Sequence, residues 1–212
     1  MRKHSKVKKG IGITALCVIL VLSVLWGSKI LPWTWRWYIS YGSFYQAAKK
    51  TAGPYPEKLP SSAENVSYYY YTGMFDTKTA VSFILDGEEY EEQKKRYLLL
   101  YTADEEEHQR DRQEYLEECQ SEYGKIPDWA AEDNVRFVFD ENVSSDFLEK
   151  EGLEYLKKVF HNTVDDYIIL AYKGIGDTKG GKLCNLEGVL CNDETNEMVI
   201  FDFRDAFRKS RK

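Results

Sequence analysis

The chain has 212 residues, of which 30% are charged, and a formal net charge of −6, enough for one domain of ordinary size and an appendage. The first 50 residues hold nine Lys and Arg and no acid, which leaves 20 basic against 35 acidic residues, a net of −15, from residue 51 onward. An acidic body of that size repels phosphate backbones, so nucleic acid is excluded as a partner, whereas the basic head is drawn to anionic lipid headgroups.

Residues 1–10 form the basic head, with Arg2, Lys3, Lys6, Lys8 and Lys9. Residues 11–30, IGITALCVILVLSVLWGSKI, are uncharged from Ile11 to Ser28. At about 1.5 Å per residue, such a helix spans the roughly 30 Å of a bilayer's hydrocarbon. The basic residues before it favour a cytoplasmic N-terminus and an extracytoplasmic remainder. Cleavage after Gly27 would need a small residue where Leu25 stands, and Leu16 spoils a lipoprotein box before Cys17, so the expectation is an uncleaved, single-pass signal-anchor in the cell membrane.

Residues 31–52 are dense in aromatics. Trp26, Trp33, Trp35, Trp37, Tyr38 and Tyr41 sit where the chain leaves the bilayer, the depth at which amphipathic rings concentrate, and Arg36 can snorkel to the headgroups. Trp33, Trp37, Tyr41, Phe44 and Ala48 recur at helical steps. That face lies along the membrane interface or packs on the folded domain. Residues 53–63 are a Pro/Ser linker, 64–204 an acidic outer domain and 205–212 a basic tail.

Within the domain, Asn65–Thr72 and Thr79–Leu85 read as strands, Glu88 to Tyr123 as a helix, and Val135–Phe139 as a strand. The middle of the long helix, ADEEEHQRDRQE, is polar all round, so there it projects into solvent or breaks. Asp146–Phe160 reads as a helix with Asp146 as N-cap and Glu149 closing a capping box. Strands at Tyr167–Lys173, Lys182–Cys191 and Met198–Phe203 follow, joined by short turns that imply antiparallel neighbours. The expected fold is α+β, in the order β-β-α-β-α-β-β-β, with helices on one face of an antiparallel sheet.

Residues with chemical potential are few. Gly176–Lys182 begins like a phosphate loop, but Leu183 replaces the Mg²⁺-binding hydroxyl and a strand follows, so a hairpin turn is expected. Asp140, Asn142, Ser144, Asp146 and Glu151 take positions 1, 3, 5, 7 and 12 of a calcium loop, although Ser145 stands where the turn needs glycine. No other metal site and no cofactor is expected. His108 and His161 are scattered and read as surface residues. No G-x-S-x-G pattern supports a catalytic serine, although one sequence does not exclude a Ser-His-Asp constellation. Cys119, Cys184 and Cys191 would face an oxidising compartment, where a disulfide from Cys119 competes with a plain apolar role. Tyr68, Tyr69, Tyr70 and Tyr71 put aromatics on both faces of one strand, covered by a helix or exposed for ligand binding.

The resulting expectation is a non-catalytic, membrane-anchored binding or accessory module of the cell envelope, acting on another envelope protein or a wall ligand. An immunity-type protein that binds a basic partner is the next reading. An envelope hydrolase, which needs a histidine gathered with acids in a cleft, comes third.

Overall fold

The computed structural model describes residues 34–35, 40–49, 53–73, 76–176 and 183–205. The basic head, the apolar run and residues 206–212 of the basic tail fall outside them, as do Trp26, Trp33, Arg36, Trp37 and Tyr38. Among the described residues no helix is long and apolar enough to cross a membrane.

The elements in chain order are β1 (Thr34–Trp35), α1 (Tyr41–Ala48), β2 (Glu64–Thr72), β3 (Asp76–Ile84), α2 (Gly87–Tyr123), α3 (Asp128–Ala131), β4 (Val135–Asn142) and α4 (Ser145–Lys150). Two 3-10 turns, Glu154–Lys158 and Val164–Asp166, lead to β5 (Ile168–Gly176), β6 (Leu183–Asn192) and β7 (Glu197–Asp205). The strands form one antiparallel sheet in the order β1-β2-β3-β7-β6-β5-β4. Six are long, and β1 adds only the pairs Thr34↔Thr72 and Trp35↔Tyr71. The α+β class and the antiparallel pairing therefore hold.

Helices on one face do not. β3 is buried continuously from Thr79 to Phe83, and β7 from Glu197 to Asp202. Side chains alternate along a strand, so an unbroken buried run means that both faces are covered. One core joins Val81, Phe83, Met198 and Ile200 to Phe44 of α1 and Tyr90, Tyr97 and Tyr101 of α2. The other joins Ala80, Val199 and Phe201 to Leu148 of α4 and to Leu153, Tyr155 and Leu156 around the first 3-10 turn. Each fully buried large side chain of this kind contributes about 1.5–3 kcal/mol.

Local boundaries differ from expectation for identifiable reasons. Residues 34–35 pair as a strand, and the helix of the aromatic segment begins only at Tyr41, after Ser40, whose hydroxyl accepts from the Ser43 amide. The helix expected over Asp146–Phe160 starts instead at Ser145, because Ser144 rather than Asp146 is the N-cap. It ends at Lys150 because Gly152 adopts φ +70°, the left-handed conformation that stops helices.

Helix α2 is continuous through its polar middle. It starts at the β6–β7 turn, where the Tyr90 hydroxyl donates to Asp193 at 2.5 Å. It crosses β5 where Lys173 pairs with Asp104 and reaches β4 where His108 lies 6.0 Å from the Phe137 ring. Its 37 residues make it about 55 Å long, and β4, which it reaches at His108, is the last strand of the sheet, so fifteen residues of helix follow that crossing. The surplus runs past the edge of the sheet as an arm.

Candidate functional site

The tyrosine strip of β2 is covered on both sides. Tyr68 lies with its ring centroid 6.5 Å from Tyr41 and 5.4 Å from Phe44. Tyr69 stacks on Tyr155 at 5.1 Å, with the Lys158 ammonium over its ring. Tyr69 is buried, and Tyr68, Tyr70 and Tyr71 are half-buried. Tyr41 donates its hydroxyl to the Pro56 carbonyl, so from Tyr41 onward the amphipathic face packs on the domain.

The calcium pattern does not converge. Ser144 is occupied in capping α4. Glu151 turns inward, accepting from the Tyr172 hydroxyl at 3.0 Å and pairing with Arg136 at 3.5 Å. Among the described residues no cluster of three or more His, Cys, Asp or Glu is arranged to hold a metal. Cys119 and Cys191 are buried, and both thiols are free in this structure. The Cys184 side chain is outside the described residues. Burial pushes the Cys191 thiol up to about 12, which leaves it protonated and unreactive at neutral pH.

Both histidines meet acids. His108 is 3.1 Å from Asp133, and Arg112 shares that carboxylate at 3.3 Å, which makes a brace between α2 and the segment after α3. His161 is different. Its Nδ1 donates to Glu197 Oε1 at 2.6 Å, and its Nε2 is 3.0 Å from Ser67 Oγ. Glu197 is fully buried at the start of β7. Its other oxygen accepts from the Tyr167 hydroxyl at 2.6 Å and from Asn162 Nδ2 at 3.2 Å. Ser67 follows a register shift in β2, where Asn65 takes φ +50°; bulges of this kind re-aim side chains. His161 is carried by the loop between the 3-10 turns. That loop is pinned by the Ser82 hydroxyl donating to the Val159 carbonyl at 2.7 Å and by Phe160 stacked on Tyr167 at 4.4 Å.

On the opposite face, a cleft of about 240 Å³ is lined by Pro54, Leu100, Tyr101, Asp104, Lys173 and Glu187. Lys173 is paired with Asp104, and Arg204 with Glu187 and with buried Asp202, both at 2.6 Å. Burial pushes the Glu187 carboxyl up against the pull of Arg204. The Tyr101 hydroxyl is buried there with no hydrogen-bond partner among the described residues. Neither histidine lines this cleft.

The third feature is the tip of the α2 arm. Past His108 the helix is held by Arg112, which donates to the carbonyls of Ala131 and Glu132 at 2.6 and 3.1 Å. Gly124, at φ +72°, turns the chain back. Around that turn Tyr115, Tyr123, Ile126 and Trp129 are exposed, Trp129 by 61%. Tyr123 and Trp129 meet edge to face, 6.2 Å apart.

Sequence reading gave no site role to Glu197, Tyr101, Glu187 or Trp129, and did not bring Ser67 together with His161. For Glu197 a signal existed, since an acid opens the apolar strand EMVIFDF at a position that proves buried. For Ser67 none did, because 94 residues separate it from His161. Comparison of the chain with family models, curated proteins and solved structures finds no match.

Proposed function

We propose that the chain is a membrane-anchored, extracytoplasmic accessory module of the cell envelope that docks another envelope protein through the tip of the α2 arm. The observation that carries this reading is the exposed set Tyr115, Tyr123, Ile126 and Trp129 at the end of a continuous helix that overshoots its own sheet. Soluble surfaces rarely gather large apolar side chains in this way, and Trp and Tyr are the residues that dominate docking energies when a partner dries them. The basic head and the uncharged run 11–28 support the anchor.

The test is site-specific photo-crosslinking in the native membrane, with benzoylphenylalanine at Trp129 and, as a control, at Leu99, which is 71% exposed away from the tip. The expected outcome is a discrete crosslinked species from position 129, absent from position 99 and lost on Tyr123→Ala. Equal crosslinking from the two positions would sink the reading.

An immunity-type role against a basic partner is a second reading, favoured by the thirteen acids against five bases in α2. It makes the crosslink salt-sensitive, because charge steering is screened within about 8 Å at physiological ionic strength. Docking through the aromatic tip survives 0.5 M salt.

A further inference from the structure

We propose that Ser67, His161 and Glu197 form an acyl-transfer centre that hydrolyses carboxylic esters, an activity beyond the docking role and independent of it. The argument begins with the buried carboxylate. Glu197 only accepts hydrogen bonds, so the 2.6 Å contact makes His161 Nδ1 the protonated nitrogen. In the neutral ring Nε2 is then an acceptor, and the group 3.0 Å from it is the Ser67 hydroxyl. The imidazole is thus held in the tautomer that can take the serine proton. A nucleophile within reach of a base, with the base oriented by a third group, is the signature of an activated hydroxyl.

The supporting shell is built as such a centre requires. Tyr167 and Asn162 hold the second Glu197 oxygen, so the carboxylate cannot rotate away from the ring. Asn162 also donates to Thr195 Oγ1 at 3.2 Å. The reacting end is open: the His161 side chain is 33% exposed whereas Glu197 is not exposed at all.

The chemistry balances with water as co-substrate. The Ser67 proton passes to His161 Nε2 as Oγ bonds to the ester carbonyl carbon. The bond to the leaving oxygen then breaks, and that oxygen takes the proton from Nε2 and departs as an alcohol. Water gives a proton to Nε2 and attacks the acyl carbon. The Ser67–acyl bond breaks, the acid leaves and Ser67 recovers its proton. Ser67 and His161 are the catalytic residues; Glu197 is a positioning residue.

The experiment uses the full chain in detergent micelles and a fluorophosphonate probe, in which Oγ displaces fluoride from phosphorus. One adduct per chain on Ser67 is expected by mass spectrometry. It should be absent from Ser67→Ala and formed at least about 100-fold more slowly by His161→Ala. Hydrolysis of p-nitrophenyl acetate should follow the same order. Because Ser67→Ala removes one hydroxyl from a half-buried site, it decides the matter without a folding question. For Glu197, ¹⁵N NMR of the imidazole should show Nδ1 protonated in the parent and Nε2 protonated in Glu197→Gln, with labelling slowed alongside. No adduct, an adduct that survives Ser67→Ala, labelling indifferent to His161→Ala, or the opposite tautomer in the parent would each overturn the assignment.

Discussion

Ser62 gives Glu89 two hydrogen bonds, one from its amide at 2.8 Å and one from its hydroxyl at 2.6 Å. Ser61 adds two more, at 3.1 and 2.7 Å. Glu89 also donates its own amide to the N-cap, Asp86. The linker is thereby clasped to the first turn of α2. The Ser62 hydroxyl and amide, then Ser61, hold the Glu89 carboxyl down at about 2, from 4.5.

A carboxyl depressed on folding contributes stability that is complete above its unfolded pKa and lost as pH falls through the folded one. The clasp should therefore weaken from about pH 4.5 down to about 2. Urea midpoints measured across that window should fall with pH in the parent. In Glu89→Gln they should fall less steeply. Equal slopes would mean that the clasp is not formed in solution.

Gly188 is the second test, because it leaves no room for a side chain. A Cβ there would sit 2.8 Å from the Ala171 carbonyl oxygen and 2.9 Å from the Phe201 ring. The carbonyl belongs to the neighbouring strand and cannot swing aside. Gly188→Ala should destabilise the domain by about 1–3 kcal/mol through overpacking, read from chemical denaturation.

The Tyr101 hydroxyl is buried in the cleft without a partner among the described residues. Burying such a group costs about 1–3 kcal/mol by mutational measures. Tyr101→Phe should therefore leave stability unchanged or raise it. A loss of stability would mean that the hydroxyl is bonded in solution, and the cleft would then rank as a ligand site.

Topology is testable with an introduced thiol. Cys119 and Cys191 are buried, and the Cys191 thiol is pushed up to about 12, so the folded chain hides both from reagents. With Cys17 and Cys184 replaced by alanine, an impermeant maleimide should label neither until the protein is unfolded. Adding Leu99→Cys at an exposed position should give labelling in intact cells if the domain is extracytoplasmic. Labelling only after lysis would place the domain inside.

Much of the architecture was legible in the residues. The aromatic run in Asn65–Thr72, the apolar runs of the last three strands and the short turns between them reveal antiparallel strands, and the acids after Asp86 mark the start of a long helix. These signals are local, since each depends on neighbours within a few residues. What they do not carry is which distant strand lies alongside which. The pairing of β3 with β7, from Asp76↔Asp205 to Ile84↔Glu197, brings residues more than a hundred positions apart into register, and it makes β3 a central strand rather than an edge.

That pairing decides the rest. With β3 and β7 central, both faces need a cover, so α2 takes one face and α4 with the 3-10 turns takes the other. Glu197 comes to lie buried beside the loop that carries His161, and Ser67 comes within 3.0 Å of that ring. The cleft forms where Tyr101 and Asp104 of α2 meet Lys173 and Glu187 of two strands. Residue order encodes hydrophobic period, charge and turn chemistry, all of which act over a few residues. A polar site of this kind depends on side chains from remote segments meeting within hydrogen-bond range, and only the packed sheet brings them there.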